Sequence, residues 1–208
     1  HQGKQKNTVA KVDAFIKSIL SAAKYKQFKE EKEMDTSYST PTGIRLRINC
    51  HYERGNSSLA ARIIPDKVPS LEDIGIEDLE YLCDEKEGLI LFTGPTGAGK
   101  STSLAAMIQH IATHKGGHIV TLEDPVEFVF KSEKGLIRQR QLGRDFLEFP
   151  AALRGVLRQD PNIIMVGEMR DLETIAAALT LAETGHLVFA TLHTPNAMQT
   201  IDRIVDVF

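Results

Sequence analysis

The stretch Leu89–Thr102, LILFTGPTGAGKST, decides the fold. Leu89, Ile90, Leu91 and Phe92 form a short continuous apolar run, the mark of a strand buried on both faces. A glycine-rich turn follows, and Ser103–Ile111 then reads as a helix. Gly94, Gly99, Lys100 and Ser101 meet the pattern G-x-x-x-x-G-K-[ST]. Glycines let the backbone curl until several N–H groups face one phosphate, and the helix N-terminus adds partial positive charge. The loop Gly94, Pro95, Thr96, Gly97, Ala98, Gly99, Lys100, Ser101 and Thr102 is therefore the candidate nucleotide cradle. Lys100 reaches the β and γ phosphates, and the Ser101 hydroxyl holds Mg²⁺.

Downstream, short apolar strands alternate with helices: His118–Leu122 (strand), Phe146–Leu157 (helix), Ile163–Val166 (strand), Leu172–Ala182 (helix), Leu187–Leu192 (strand), and a last helical pattern through Ile201, Ile204 and Val205. That alternation predicts an α/β core with a parallel sheet covered on both faces. Upstream, Val12, Phe15, Ile16, Ile19, Leu20, Ala23 and Phe28 recur at helical spacing, which predicts one amphipathic helix over 12–28. Pro41 and Gly43 mark a turn. Ile44, Leu46, Ile48 and Cys50 then alternate with Arg45, Arg47 and Asn49, a half-buried strand with both arginines on its open face. Leu59–Ile64 reads as a second strand carrying Arg62, with Arg54–Ser58 as the turn between them. Pro65–Ser70 reads as a linker, and Ser70 with Asp73 resembles a capping box. The expected organisation is a small front unit at 1–64, a linker at 65–70 and the nucleotide core at 71–208.

Charge divides along the same line. Residues 1–70 hold 13 Lys and Arg against 7 Asp and Glu, whereas residues 71–208 hold 12 against 21. A basic front and an acidic back suit two units that face each other or share an anionic ligand. The acidic core counts against a nucleic-acid translocase, which needs a basic channel. Cys50 and Cys83 stand in no C-x-x-C arrangement, which leaves a zinc module and a disulfide framework unsupported. No apolar run approaches membrane-spanning length, so any membrane association would be peripheral.

Three later stretches narrow the chemistry. In TLEDPVEF (121–128) a strand ends among Glu123, Asp124 and Glu127; strand exits are where such sheets bind ligands, and Glu127 is the candidate general base. In NIIMVGEMRD (162–171) an apolar strand, expected beside the P-loop strand, delivers Glu168, which handles Mg²⁺ or its waters. In GHLVFATLHT (185–194) His186 and His193 flank one strand from opposite ends and so cannot share a metal. His193, at the C-terminal end, is the candidate sensor of the γ-phosphate. Glu127 and Glu168 argue against a switch that binds nucleotide without hydrolysing it. No N-K-x-D guanine signature occurs.

In this order and spacing, GPTGAGKST, TLEDPVEF, LRQDPNIIMVGEMRDLET and GHLVFATLHT resemble the Walker A, Asp-box, Walker B and His-box motifs of the secretion ATPase superfamily, the hexameric motors of type II secretion and type IV pili. DTSYS, RLRIN and ARIIP extend the resemblance through the front unit. GEMRD and AETGHLVF are similar to the pilus retraction ATPases, whereas assembly motors typically read GEIRD and many carry the C-x-x-C pairs missing here. The resemblance implies a RecA-like P-loop core preceded by the end of a PAS-like α+β domain, with ATP and Mg²⁺ as cofactors. It also implies that Glu127 is the catalytic base and a metal-site residue, that Glu168 is the Walker B glutamate, and that His186 and His193 are the His-box pair at the nucleotide. Arg45, Arg47 and Arg62 match the region whose arginines reach nucleotide across a subunit boundary. The implied assembly is a homo-hexamer at the cytoplasmic face of the inner membrane, working on a pilus platform protein to retract the pilus in twitching motility, with no nucleic-acid partner. Against the family pattern, the first strands of the N-terminal domain and the C-terminal helical domain are expected to be missing from this stretch. The alternatives are an assembly or type II secretion ATPase of the same superfamily, then a RecA-like translocase.

Overall fold

The computed structural model describes residues 8–65 and 67–206, and the chain divides into two compact units, His1–Asp66 and Lys67–Phe208. The polar stretch at 1–7 lies outside the described residues.

In the first unit, helices α1 (Val9–Ile19) and α2 (Ala22–Glu31) precede an antiparallel sheet of β1 (Glu33–Ser39), β2 (Arg45–Glu53) and β3 (Asn56–Ile64), in the order β1-β2-β3. The single helix expected over 12–28 is two helices. Leu20 is extended, and the Ser21 side chain caps α2 by accepting from the Lys24 N–H at 3.3 Å. A serine that can satisfy an N-terminal donor outcompetes helix continuation. Ile16, Leu20 and Phe28 thereby meet Ile48 and Cys50 in one core. β1 has little apolar periodicity to betray it, since it is an edge strand with only alternate residues half-buried. The turn before β3 is tighter than expected: β2 ends at Glu53 and β3 begins at Asn56.

A polar network ties this unit together. The Asp13 carboxylate accepts from Lys29 Nζ at 2.7 Å, Ser57 Oγ at 2.6 Å and Tyr25 Oη at 2.8 Å. Lys29 foremost, then Ser57 and Tyr25, hold the Asp13 carboxyl down at about 2. A carboxyl whose folded value lies below its unfolded one stabilises fully above the unfolded value, near 3.8, and loses that contribution as pH falls toward 2. Asp13→Ala is expected to destabilise the unit by about 1–2 kcal/mol at pH 7, after discounting for the side chain's partial exposure. The difference between wild type and Asp13→Ala should shrink as the pH of chemical denaturation is lowered from 5 to 2.

The second unit holds five strands: β4 (Gly88–Thr93), β5 (Gly117–Glu123), β6 (Gly135–Gln141), β7 (Ile163–Val166) and β8 (Leu187–Leu192). All are parallel, in the order β4-β8-β7-β5-β6. Helices α3 (Lys100–His114), α4 (Phe149–Val156), α5 (Leu172–Glu183) and α6 (Ala197–Val205) complete it. Each central strand feeds two cores by alternation. Ile163, Met165, Leu187 and Phe189 pack with Leu104–Ile108 and Ile111 of α3. Ile164, Val166, Val188 and Ala190 pack with Leu153 and Val156 of α4 and Ile175, Ala178 and Leu181 of α5. Burial on both faces is why these strands read as unbroken apolar runs.

Four expectations are corrected here. The P-loop strand β4, read as buried on both faces, is the outer strand of this sheet: Ile90 and Phe92 lean on one core and Leu89 and Leu91 on the other, but each is only half-buried because one strand edge is unpaired among the described residues. β6 (GLIRQRQ) is a fifth strand that apolar patterning does not reveal, because an edge strand carries Arg138 and Arg140 on a half-covered surface. The helix expected over 146–157 starts only at Phe149, with Pro150 in its first turn, and Phe146 instead packs edge-on against Phe149 at 5.0 Å. The strand bearing Glu168 is not beside the P-loop strand: β8 lies between β4 and β7. The Ser70–Asp73 capping box forms reciprocally, with bonds of 2.9 and 3.1 Å, and opens a short 3₁₀ turn.

Candidate functional site

The C-terminal ends of β4, β8, β7 and β5 lie side by side along one edge of the parallel sheet. At the end of β4 the chain turns through Gly94–Gly99 into α3, with Gly97 and Gly99 at φ +84° and +87°. Those left-handed conformations aim successive N–H groups inward, and glycine takes them without strain. Pro95–Gly99 are exposed, whereas Lys100 is only 8% exposed. Its ammonium donates to the Gly94 and Pro95 carbonyls at 2.8 and 2.9 Å. Ser101 and Thr102 follow in the first turn of α3.

From Lys100 a chain of polar contacts runs across the sheet edge. His193, just past β8, lies with Nδ1 3.5 Å from Lys100 Nζ and Nε2 3.4 Å from Glu168 Oε1. The other Glu168 oxygen takes the Arg170 guanidinium at 2.9 Å, and the second arm of Arg170 donates to Asp124 at 2.9 Å. The Glu168 bond, chiefly, raises Arg170 above its already high ordinary value, so it stays a cation. The position of β8 between β4 and β7 makes this chain possible, since it sets His193 between the lysine and the glutamate. Gly167 allows the approach on the β5 side. Its N–H donates to Leu122 O at 2.8 Å, and a Cβ there would stand 3.2 Å from that carbonyl oxygen.

The three carboxylates of the β5 exit have separate surroundings. Glu123 is the last residue of the strand and is buried. It accepts from Thr121 Oγ1 at 2.6 Å and Gln139 Nε2 at 2.9 Å, and burial pushes its carboxyl upward. Asp124 is taken by Arg170, and Glu127 is exposed.

His186 is not brought to this edge. It precedes β8 at the opposite end of the sheet, where its ring contacts the Leu181 carbonyl at 3.0 Å and its own carbonyl accepts from the Gly88 N–H. Six residues of strand separate it from His193, about 20 Å, so its assignment to the nucleotide is corrected to a contact closing the C-terminus of α5. In the first unit, Arg47 pairs with Arg62 across the β2–β3 ladder, and Arg45 is two residues along the same face. Like charges directly opposite one another repel; Asp35 of β1, 3.9 Å from Arg47, offsets part of that charge, and the remainder suits an anion. Arg170 and Gln139 were not singled out by sequence reasoning. The signal for Arg170 is its place two residues after Glu168, where clustered carboxylates need a neutralising cation.

A parallel sheet with a glycine-rich turn between its first strand and a helix, and carboxylates at the exits of two other strands, defines a P-loop nucleotide-binding core. The Type II/IV secretion system protein family matches residues 56–207, and the chain belongs to it. It is 51% identical over 198 residues to the type IV pilus retraction ATPase PilT of Pseudomonas aeruginosa, covering 95% of this chain and 58% of that protein. It is 46% identical to a twitching motility protein of Neisseria gonorrhoeae, over 95% of this chain and 53% of that one. Among solved structures, the pilus retraction motor PilT with bound ADP matches with a TM-score of 0.90 at 47% identity, over 94% of this chain and 57% of that one. The Legionella pneumophila ATPase DotB matches at 0.83 and 33% identity, over 99% of this chain and 59% of that one. The chain thus spans about half the length of the curated relatives it matches.

Proposed function

We propose that this chain is the nucleotide-hydrolysing part of a motor subunit for type IV pilus retraction, converting ATP and water to ADP and phosphate. The observation that carries the reading is the continuous chain Lys100–His193–Glu168–Arg170–Asp124, which couples the P-loop to the Asp-box loop along one sheet edge. The named relatives, a retraction ATPase and a twitching motility protein, support the choice of system, as does the likeness to an ADP-bound motor.

In this reading the P-loop N–H groups and the helix α3 terminus hold the β and γ phosphates. Lys100 exchanges its two loop carbonyls for phosphate oxygens. Glu127 accepts the proton of the attacking water. His193, touching both Lys100 and Glu168, registers whether the γ-phosphate is in place. Arg45, Arg47 and Arg62 supply positive charge to nucleotide held by a neighbouring subunit; an arginine in trans is worth on the order of 10³–10⁵ in other phosphoryl-transfer enzymes.

Among the described residues no cluster of three or more His, Cys, Asp or Glu side chains could hold a metal. The donors at the P-loop edge are oxygens, the Ser101 hydroxyl in the first turn of α3 and the Glu168 carboxylate after β7, and they suit Mg²⁺, which arrives on nucleotide phosphates, keeps most of its waters and needs few protein ligands. Ser101 would hold it directly, with Glu168 through water and Glu127 alongside. When bound, Mg²⁺ neutralises charge on the phosphate oxygens. Among the described residues no helix is long and apolar enough to cross a membrane. The proposed working place is the cytoplasmic face of the inner membrane, as a hexamer docked on a pilus platform protein.

The test is ATP hydrolysis as a function of protein concentration, with mass determined on the same samples. Specific activity is expected to rise with concentration alongside a hexamer-sized species. Robust hydrolysis by a strict monomer would overturn the trans-arginine mechanism.

A further inference from the structure

The loop carrying Glu127 runs from Asp124 to Lys134 without helix or strand, so its backbone must be held by side chains or wander. At its far end Gln109 of α3 brackets Lys131, accepting from its N–H at 2.9 Å and donating to its carbonyl at 3.0 Å; beside Glu127 the holding comes from β6. Gln139 makes three bonds at once: its Nε2 donates to Glu123 Oε1 and to the Phe128 carbonyl, both at 2.9 Å, and its Oε1 accepts from the Phe130 N–H at 3.0 Å. Gln141, two residues on, accepts from the Val126 N–H at 3.4 Å. Glu123 closes the arrangement from the β5 side. Its buried carboxylate takes the Thr121 hydroxyl and the Gln139 amide.

The backbone is thus held on both sides of Glu127, at Val126 before it and at Phe128 and Phe130 after it. A primary amide suits this task because it donates to one backbone carbonyl and accepts from a backbone N–H on one planar group. Both anchors stand on strands, which are stiffer supports than the loop they hold.

We infer that Gln139, together with the buried Glu123, is the positioning device for Glu127: it fixes the loop so that the general base faces the attacking water, without touching substrate. This rests on the reading of Glu127 as the base. A base displaced by about 1 Å costs up to about 10²-fold in rate, whereas the phosphate cradle lies three strands away at β4. Turnover and nucleotide affinity therefore separate.

The experiment compares wild type, Glu127→Gln, Gln139→Ala, Gln139→Glu and the double variant Glu123→Gln/Gln139→Glu in the intact protein. It records kcat, KM for ATP, the affinity for a fluorescent ADP analogue and Tm. Gln139→Ala is expected to lower kcat by about 10- to 100-fold with KM and ADP affinity within about twofold. Gln139→Glu sets a second carboxylate against Glu123 and is expected to lose at least as much. The double variant exchanges amide and carboxylate and restores a donor between the two positions, so it is expected to recover the Tm lost by Gln139→Glu; its kcat is expected to stay at least about 10-fold below wild type, because a carboxylate at 139 cannot donate to the Phe128 carbonyl. If Gln139→Ala proves unfolded by Tm, that low kcat at wild-type Tm and unchanged KM carries the test. Loss of ADP affinity in step with kcat, wild-type turnover in Gln139→Ala, or wild-type turnover in the double variant overturns the inference. Wild-type turnover in Glu127→Gln overturns instead the reading of Glu127 on which it rests.

Discussion

Lys100→Ala is expected to lower ATP turnover by at least about 10²–10³-fold and to weaken nucleotide binding. Lys100 is one of the few charged residues buried in the second unit, and its ammonium is tied to the Gly94 and Pro95 carbonyls. In phosphoryl transfer the negative charge is spread over oxygens that the cradle must neutralise, and a preorganised cation in a shielded site does this without reorganising at the moment of reaction. Alanine also leaves two loop carbonyls without their donor, so the cradle loses shape as well as charge. Lys100→Arg is no rescue: a planar fork cannot replace a compact ammonium between two carbonyls 2.8 and 2.9 Å away. Phosphate release measured beside ADP-analogue binding checks the result. Undiminished hydrolysis in Lys100→Ala would remove the P-loop from the mechanism.

Glu127→Gln is expected to lower kcat by about 10²–10⁴-fold while nucleotide affinity stays within a few-fold. The substitution keeps size and polarity and removes only the ability to take a proton. Glu123 and Asp124 are unfit to replace it. Glu123 is buried under hydrogen bonds from Thr121 and Gln139, and Asp124 is engaged by Arg170. Glu127 is the exposed carboxylate of the three. Single-turnover and steady-state measurements separate the chemical step from ADP release. If both fall together while the ADP affinity holds, the base is identified. If only ADP release slows, Glu127 belongs to the gating of the site.

The nucleotide core was legible in sequence because its physics is local. The run Leu89–Phe92, the turn Gly94–Gly99 and the helix after Lys100 follow one another directly, and the apolar runs at 163–166 and 187–192 are long enough to demand burial on both faces. The open-face arginines were equally readable, since strict alternation over 44–50 puts Arg45 and Arg47 on one side. Of the edge strands, β3 and β4 were readable and β1 and β6 were not. β1 and β6 are half-exposed and polar, and their pairing energy comes from a neighbour distant in sequence.

Local pattern therefore determines which residue types stand at which strand ends, and with them the candidate chemistry. Strand order is another matter. It depends on how helices pack across both faces of the sheet, and no short segment encodes it. That order puts β8 between β4 and β7, so His193 touches both Lys100 and Glu168. It also brings β6 alongside β5, which lets Gln139 grip the loop of Glu127 across a sequence gap that no periodicity spans.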